Sequence, residues 1–360
     1  MNARPPGDFH STKSRYMQMN KLDTKPITMK TIAQAIGVST VTVSKALNNK
    51  EGVSNELREI IKNKAKEMGY VYNPIPKLLL NGKTNNVAIL VSKKFLVRGY
   101  DVYFQIYETI IERLSDLGYY GILEVLSKQA EFDCEVPRVL KESKVDGLIL
   151  LGQISESYLS MISTQKIPFV LLDFYGGYEQ MDTVVADNFF GSYMITSYLI
   201  KNGHRKIGFV GNYHSTSSIL DRYMGYLKGL IEHDLVNTCD QYLVMDRDTG
   251  GAMIELTLPK VLPTAFVCNN DEVANALINK LNEHGYKVPE DISVVGFDNF
   301  ESIKNQAIGI TTVEVDFITM ATVSVEVIYK KINDSAYSPG RQLINCRLVI
   351  RDSVKPLSET

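Results

Sequence analysis

The sequence predicts an α/β protein: a two-lobed body built on two doubly wound parallel sheets, preceded by a small all-α domain. Three observations lead there. Short apolar runs separated by amphipathic stretches recur from residue 87 to residue 298, the pattern of parallel strands covered by helices on both faces. Residues 27–74 instead space their apolar side chains at helical intervals, with glycines where helices would stop. The body, residues 86–360, is longer than one such sheet requires, so two lobes are expected, with a ligand in the crevice at the carboxyl ends of their strands.

Charge divides the chain in the same places. Lys and Arg outnumber Asp and Glu by 5 to 2 over residues 1–26 and by 9 to 4 over 27–85, but are outnumbered 25 to 35 over 86–360. A basic module on an acidic body suits a head that binds a polyanion. Residues 1–26 are polar, contain three prolines and lack periodicity, so they read as a disordered leader.

In residues 27–74, Met29, Ile32, Ala33 and Ile36 share a helical face, with Thr28 placed to cap and Gly37 to stop. A second run, Thr40 to Leu47, follows Ser39, a suitable cap; Val43, Ala46 and Leu47 face inward, and Thr40, Val41, Ser44 and Lys45 lie elsewhere. A third helix after Ser54 puts Leu57, Ile60, Ile61, Ala65 and Met68 on its apolar side and ends at Gly69. A helix, a tight turn containing Gly and a second helix form the motif that lays its second helix in the DNA major groove. Residues 75–85 join this domain to the body.

In the body the strand-like runs are 87–91, 120–125, 145–151, 168–174, 206–211, 264–269 and 292–298. No apolar run reaches the roughly 18 residues of a membrane span and the start lacks a secretory signal, so a cytoplasmic protein is expected. Four cysteines (134, 239, 268, 346) and five histidines show no metal-ligand spacing, and the cysteines read as buried small hydrophobes in a reducing compartment. Walker, GxSxG, HExxH and GxGxxG motifs are absent. No catalytic residue, metal or cofactor is therefore assigned.

The stretch MKTIAQAIGVSTVTVSKALNNKEGVSNELREIIKNKAKEMGYVYNP, residues 29–74, closely resembles the DNA-binding domain of the LacI/GalR transcriptional regulators. The match lies in Ala33, Gly37-Val38-Ser39, Thr42-Val43-Ser44, Leu47-Asn48, Val53-Ser54, Arg58 and Gly69-Tyr70. The resemblance implies that Thr40 and Val41 face base edges with Lys45 one turn on, where members usually carry Arg. Ser39, Thr42, Ser44 and Asn48 would then meet phosphate oxygens, which position without specifying sequence. Leu79, counted back from Thr84, takes the place of the hinge leucine that wedges into the minor groove.

The body is similar to the periplasmic-binding-protein-like sensor of the same regulators, most clearly over residues 184–211, 221–230, 268–299 and 310–317. The resemblance implies chain exchange between lobes near residues 187, 315 and 343, giving lobe 1 as 86–187 and 316–343 and lobe 2 as 188–315 and 344–360. It implies effector contacts from Asp173, Arg222, Asn270, Asp298 and Phe317, and puts Arg247 where relatives often have an aromatic contact. Tyr100, Tyr103 and Phe104 are candidates for the opposite wall or for helix core. Arg and Asp pairs beside an aromatic face suit a sugar. The expected partners are thus double-stranded operator DNA, a small effector, most fittingly a sugar, and a second copy of the chain, because two heads meet two half-sites. A purine or a protein partner in the effector's place, and a transporter's solute-binding protein, are the alternatives.

Overall fold

The structure is a computed structural model that describes residues 27–47, 49–70, 83–96, 100–176, 181–236, 240–248, 251–300 and 308–357. The chain divides into two compact units, residues 1–80 and 81–360.

The first unit contains three helices: α1 (Met29–Ile36), α2 (Thr40–Leu47) and α3 (Asn55–Glu67). Side chains of Thr28, Ser39 and Ser54 each accept from a backbone N–H in the first turn of the helix that follows, so three of the orphan donors at those termini are satisfied. Gly37 ends α1 at φ 77, with its N–H donating to the Ala33 carbonyl at 2.9 Å. That left-handed conformation costs a residue with a Cβ and costs glycine nothing extra. Ile32, Ala33, Val43, Ala46, Ile61 and Ala65 form the core. Ile60, expected on the apolar face of α3, is instead 52% exposed; its neighbour Ile61 takes the inward position, and adjacent helical residues point about 100° apart. Arg58 turns back and donates to the carbonyls of Lys50 (2.8 Å) and Val53 (3.4 Å), tying the loop before α3 to that helix.

In the second unit lobe 1 is a six-stranded parallel sheet, in the order β11-β5-β4-β3-β1-β2. Its strands are β1 (Asn86–Ser92), β2 (Tyr120–Leu126), β3 (Gly147–Leu151), β4 (Phe169–Leu172), β5 (Thr183–Ala186) and β11 (Arg341–Ile344). Lobe 2 carries four parallel strands, β7-β6-β8-β9: β6 (Ile207–Val210), β7 (Leu243–Val244), β8 (Ala265–Cys268) and β9 (Ser293–Val295). An antiparallel ribbon of β10 (Thr312–Val315) and β12 (Cys346–Val349) is joined to it by single bridges, Val295 to Thr311 and Asp298 to Glu314. The chain passes between lobes at Asp187, Asp316 and Asn345, single residues between an element of one lobe and an element of the other.

Five elements position the cleft. From lobe 1 come α4 (Tyr100–Asp116) and α11 (Phe317–Asn333); from lobe 2, α8 (Asn188–Lys201), α9 (Ser217–Ile231) and α10 (Asp271–Glu283). Helices α8 and α9 pack so closely that a Cβ on Gly225 would lie 2.1 Å from the Phe189 carbonyl oxygen. Only glycine allows that approach, which brings Arg222, one turn earlier on α9, against Asn188. Cys268 is buried as expected, whereas Cys134 and Cys346 are only half-buried, and Cys239 lies outside the described residues. No helix of the described residues is long and apolar enough to cross a membrane.

Candidate functional site

Two surfaces are candidates, one in each unit. On the first, α2 begins with Thr40 and Val41, both exposed, Val41 at 62%. An apolar side chain so placed contributes nothing to the core, and a methyl-bearing partner such as the thymine C5 group would cover it. Lys45 is exposed in the last turn of α2, and no acidic residue stands in the helix's first turn, so its positive N-terminal end is uncompensated. The hydroxyls of Ser39 and Thr42 lie 2.8 Å apart, and Ser39 also caps α2; one hydroxyl donates to the other, which leaves the second O–H free to donate to a phosphate oxygen. Ser44 is half-buried. Asn48 and Leu79 lie outside the described residues.

On the second unit, the sequence-predicted residues collect at the carboxyl ends of the strands. Asp173 follows β4 with φ 68 and Asp298 follows β9 with φ 93, both in the left-handed region that non-glycine residues avoid. Asp tolerates αL better than most residues that carry a Cβ, and at these two turns it places one carboxylate from each lobe past the end of a strand. Tyr103, from α4, donates its hydroxyl to Asp173 Oδ2 at 2.8 Å. Burial pushes the Asp173 carboxyl up to about 6, although the Tyr103 hydrogen bond and nearby Arg222 pull it down.

Arg222 and Asp298 form a buried ion pair, Nη2 to Oδ1 at 2.8 Å. The same guanidinium donates from Nε to Asn188 Oδ1 (2.8 Å) and from Nη1 to the Asn269 carbonyl, and its Cζ lies 3.9 Å from the centre of the Phe297 ring. Burial raises the Asp298 pKa, and Arg222 and then Arg247 oppose the rise. Arg247 is paired with its fully buried neighbour Asp246, Nε to Oδ2 at 2.7 Å, and reaches Asn269 Oδ1 at 3.3 Å.

Asn270 accepts from Val273 N at 2.9 Å as the N-cap of α10. The residue that meets both arginines is Asn269, whose Nδ2 also donates to Asp246 at 2.8 Å. Sequence reasoning missed Asn269 because two asparagines are adjacent after β8 and only one position carries over from the resemblance. Asn188, likewise missed, sits one residue past the first lobe crossing. Phe317 lines a cavity together with Asp298. Phe104, a wall candidate, is 55% exposed on the outer surface instead, since it precedes the inward Ile106 by half a helical turn; the side chain of Tyr100 lies outside the described residues.

The lobes also touch along one rim. Ser217 N donates to Gln153 Oε1 (3.0 Å), and Asp221 of lobe 2 accepts from the Tyr175 hydroxyl (2.6 Å) and Arg341 (3.1 Å) of lobe 1. Such an arrangement can bind a polar molecule between lobes and translate its contacts into a closure angle. Among the described residues no group of three or more His, Cys, Asp or Glu side chains is arranged to hold a metal ion.

Two family models match the chain: bacterial regulatory proteins of the lacI family over residues 28–73, and a periplasmic binding protein-like domain over residues 196–354. Curated relatives include the HTH-type transcriptional repressor PurR of Vibrio campbellii, 27% identical over 337 residues, covering 92% of this chain and 99% of the relative. The PurR repressor of Histophilus somni is 27% identical over 335 residues, with the same coverage of both chains. Among solved structures, the lac repressor dimer bound to operator and an anti-inducer is similar with TM-score 0.77 and 22% identity, covering 92% of this chain and 100% of that one. The transcriptional regulator CelR in complex with cellobiose is similar with TM-score 0.64 and 23% identity over 91% of this chain and 99% of that one. At these identities the solved structures speak to the fold.

Proposed function

Because this chain belongs to the LacI/GalR family of transcriptional regulators, we propose that its repression of transcription runs from α2 in an operator's major groove to an effector held between the two lobes. The chain is a DNA-binding repressor with a sensor domain. In this reading Thr40, Val41 and Lys45 read base edges, Ser39, Thr42, Ser44 and Asn48 hold phosphates, and Leu79 enters the minor groove. Asp173 and Tyr103 bind the effector from lobe 1, with Phe317 as an apolar wall. From lobe 2 come Arg222, Asp298, Asn270 and Arg247.

The observation that carries the reading is the pair of acids with left-handed backbone, Asp173 and Asp298, one in each lobe just past the carboxyl end of a strand. A molecule hydrogen-bonded to both favours one closure angle over another, and an effector shifts a two-state equilibrium only by its differential affinity for the states. The effector is a sugar, bound by hydroxyl contacts to carboxylate and guanidinium groups. A purine is the second reading, favoured by the PurR relatives.

The working form is a homodimer, matching two heads to two half-sites. The surface for the second copy is formed by α4 and the edge strand β2, where Phe104, Leu123 and Val125 are exposed. An uncovered sheet edge with apolar side chains is a place for another chain to pair or pack.

The reading is tested by selecting duplexes from a random pool with the purified full chain and sequencing what is retained. A two-fold symmetric site with half-sites about one helical turn apart is expected. Sequence-independent retention would overturn it.

A further inference from the structure

Asp298, the partner of Arg222, also lines a cavity of about 740 Å3. Gln105 of α4 and Phe317 of α11 line it from lobe 1, Asp298, Asn299 and Phe300 from lobe 2, and Asn345 from the crossing between β11 and β12. Resting on the reading of the cleft as the effector site, we propose that the effector extends into this cavity and is an uncharged oligosaccharide of at least two rings, with Asn345 and Gln105 as specificity-determining residues.

Size is the first support. The cavity lies in the upper part of the roughly 300–1,000 Å3 range of ligand pockets, which bury most of the surface of what they hold. A single sugar ring or purine base at Asp298 would leave most of it to water.

Charge is the second. The acids in the lining are engaged: Asp298 with Arg222, Glu314 with Arg347 and with Asn299 Nδ2 at 2.9 Å, and Asp316 with the N–H and hydroxyl of Thr319. The one basic residue in the lining is Arg347, against three acids, so a phosphate or carboxylate would meet net negative charge with the guanidinium already committed. A neutral ligand meets no such penalty.

The third support is the hydrogen-bonding inventory. The side-chain amides of Gln105 and Asn345 are exposed and make no hydrogen bond among the described residues. Each offers a donor and an acceptor, the pairing that vicinal hydroxyls use, while the Phe300 and Phe317 rings offer faces for sugar C–H groups. Asn345 is itself a lobe crossing and Asp316, also in the lining, is another. A ring seated there touches residues whose backbone torsions set the closure angle. Binding in this part of the cleft is thereby linked to the conformational change.

The full chain is titrated by calorimetry and thermal shift with glucose, cellobiose, maltose, cellotriose, maltotriose, glucose 6-phosphate and hypoxanthine. At least one sugar of two or three rings is expected to bind about tenfold or more tighter than glucose. Asn345→Ala should lower that affinity by about fivefold while leaving glucose unchanged, and Gln105→Ala should act in the same direction. Both positions are exposed, so both variants are expected to fold with the wild-type melting temperature. Tightest binding by glucose, glucose 6-phosphate or hypoxanthine overturns the proposal, as does a panel without a multi-ring binder, or an Asn345→Ala variant that loses both affinities equally. A preparation that fails these tests yet retains sequence-specific DNA binding leaves the repressor reading standing and removes only the oligosaccharide.

Discussion

Replacing Arg222 with Met keeps most of the side chain's apolar volume and removes the guanidinium. Asp298, 8% exposed, then loses its ion-pair partner, while Asn188 Oδ1 and the Asn269 carbonyl lose their donors. Removing one member of a buried pair costs about 3–5 kcal/mol, because the remaining charge stays desolvated. At about 2–4 °C per kcal/mol for a domain of this size class, the body should melt about 6–20 °C lower at neutral pH. Without Arg222 the Asp298 carboxyl rises further above its unfolded value, so the native state binds its proton more tightly than the unfolded state does. The variant's deficit is therefore complete above that raised value and shrinks as pH falls toward the usual carboxylate range near 4. Adding Asp298→Asn should restore part of the loss. Scanning calorimetry of wild type, both single variants and the double variant, from pH 5 to pH 8, reads all four terms. A Met variant within about 2 °C of wild type at neutral pH, or a double variant carrying both single-variant losses in full, would refute the electrostatic account of the cleft.

Three further outcomes are expected. Gly37→Ala should cost the first unit about 1–2 kcal/mol through its left-handed backbone alone, since no atom lies within 4 Å of the Cβ it would gain; hydrogen exchange in α1 and α2 reads it, and Gly37→Asn should lose less. Lys45→Ala should weaken operator binding by about 1–3 kcal/mol and relax the preference at the base it reads; Val41→Ala should alter base preference with an unchanged melting temperature, because Val41 is outside the core. Burial lifts the Asp271 carboxyl to about 7 against the hydrogen bond from Thr312, so the native state holds the proton more tightly and stability falls as pH rises from the carboxylate range through 7. Over pH 5 to 8 that amounts to about 2–3 kcal/mol, and denaturant titrations of Asp271→Asn should lack this part of the slope.

The three helices of the first unit were legible because their signals are local: a hydroxyl before each helix and a glycine after α1 fall at fixed offsets from the apolar face. Seven of the body's strands were legible as continuous apolar runs. β5, β7 and β10–β12 were not read as strands: β7 is two residues long, β10–β12 mix polar or charged side chains into their four positions, and all five pair with segments distant in the chain. Burial of such strands comes from tertiary packing rather than from a pattern a sequence window can hold. In the cleft, Asp173, Arg222 and Asp298 were reachable through resemblance, whereas the bonds Arg222 makes to Asn188 and Asn269 depend on the close approach of α8 and α9 at Gly225. Such an approach leaves one glycine in the sequence, and glycines have many causes.

The claim that lobe closure governs DNA binding is tested most directly without any effector. Cysteines at Gln153 and Ser217, where the Gln153 side chain bridges the rim to the Ser217 N–H at 3.0 Å, would hold the lobes in this arrangement when joined through a short bis-methanethiosulfonate spacer, and the affinity of the full chain for its selected operator is then measured before and after reduction. A change of about fivefold or more, reversed by reductant and absent from wild type, is the predicted result. Equal affinity of the locked and released forms, with the cross-link shown to be formed, would contradict the account.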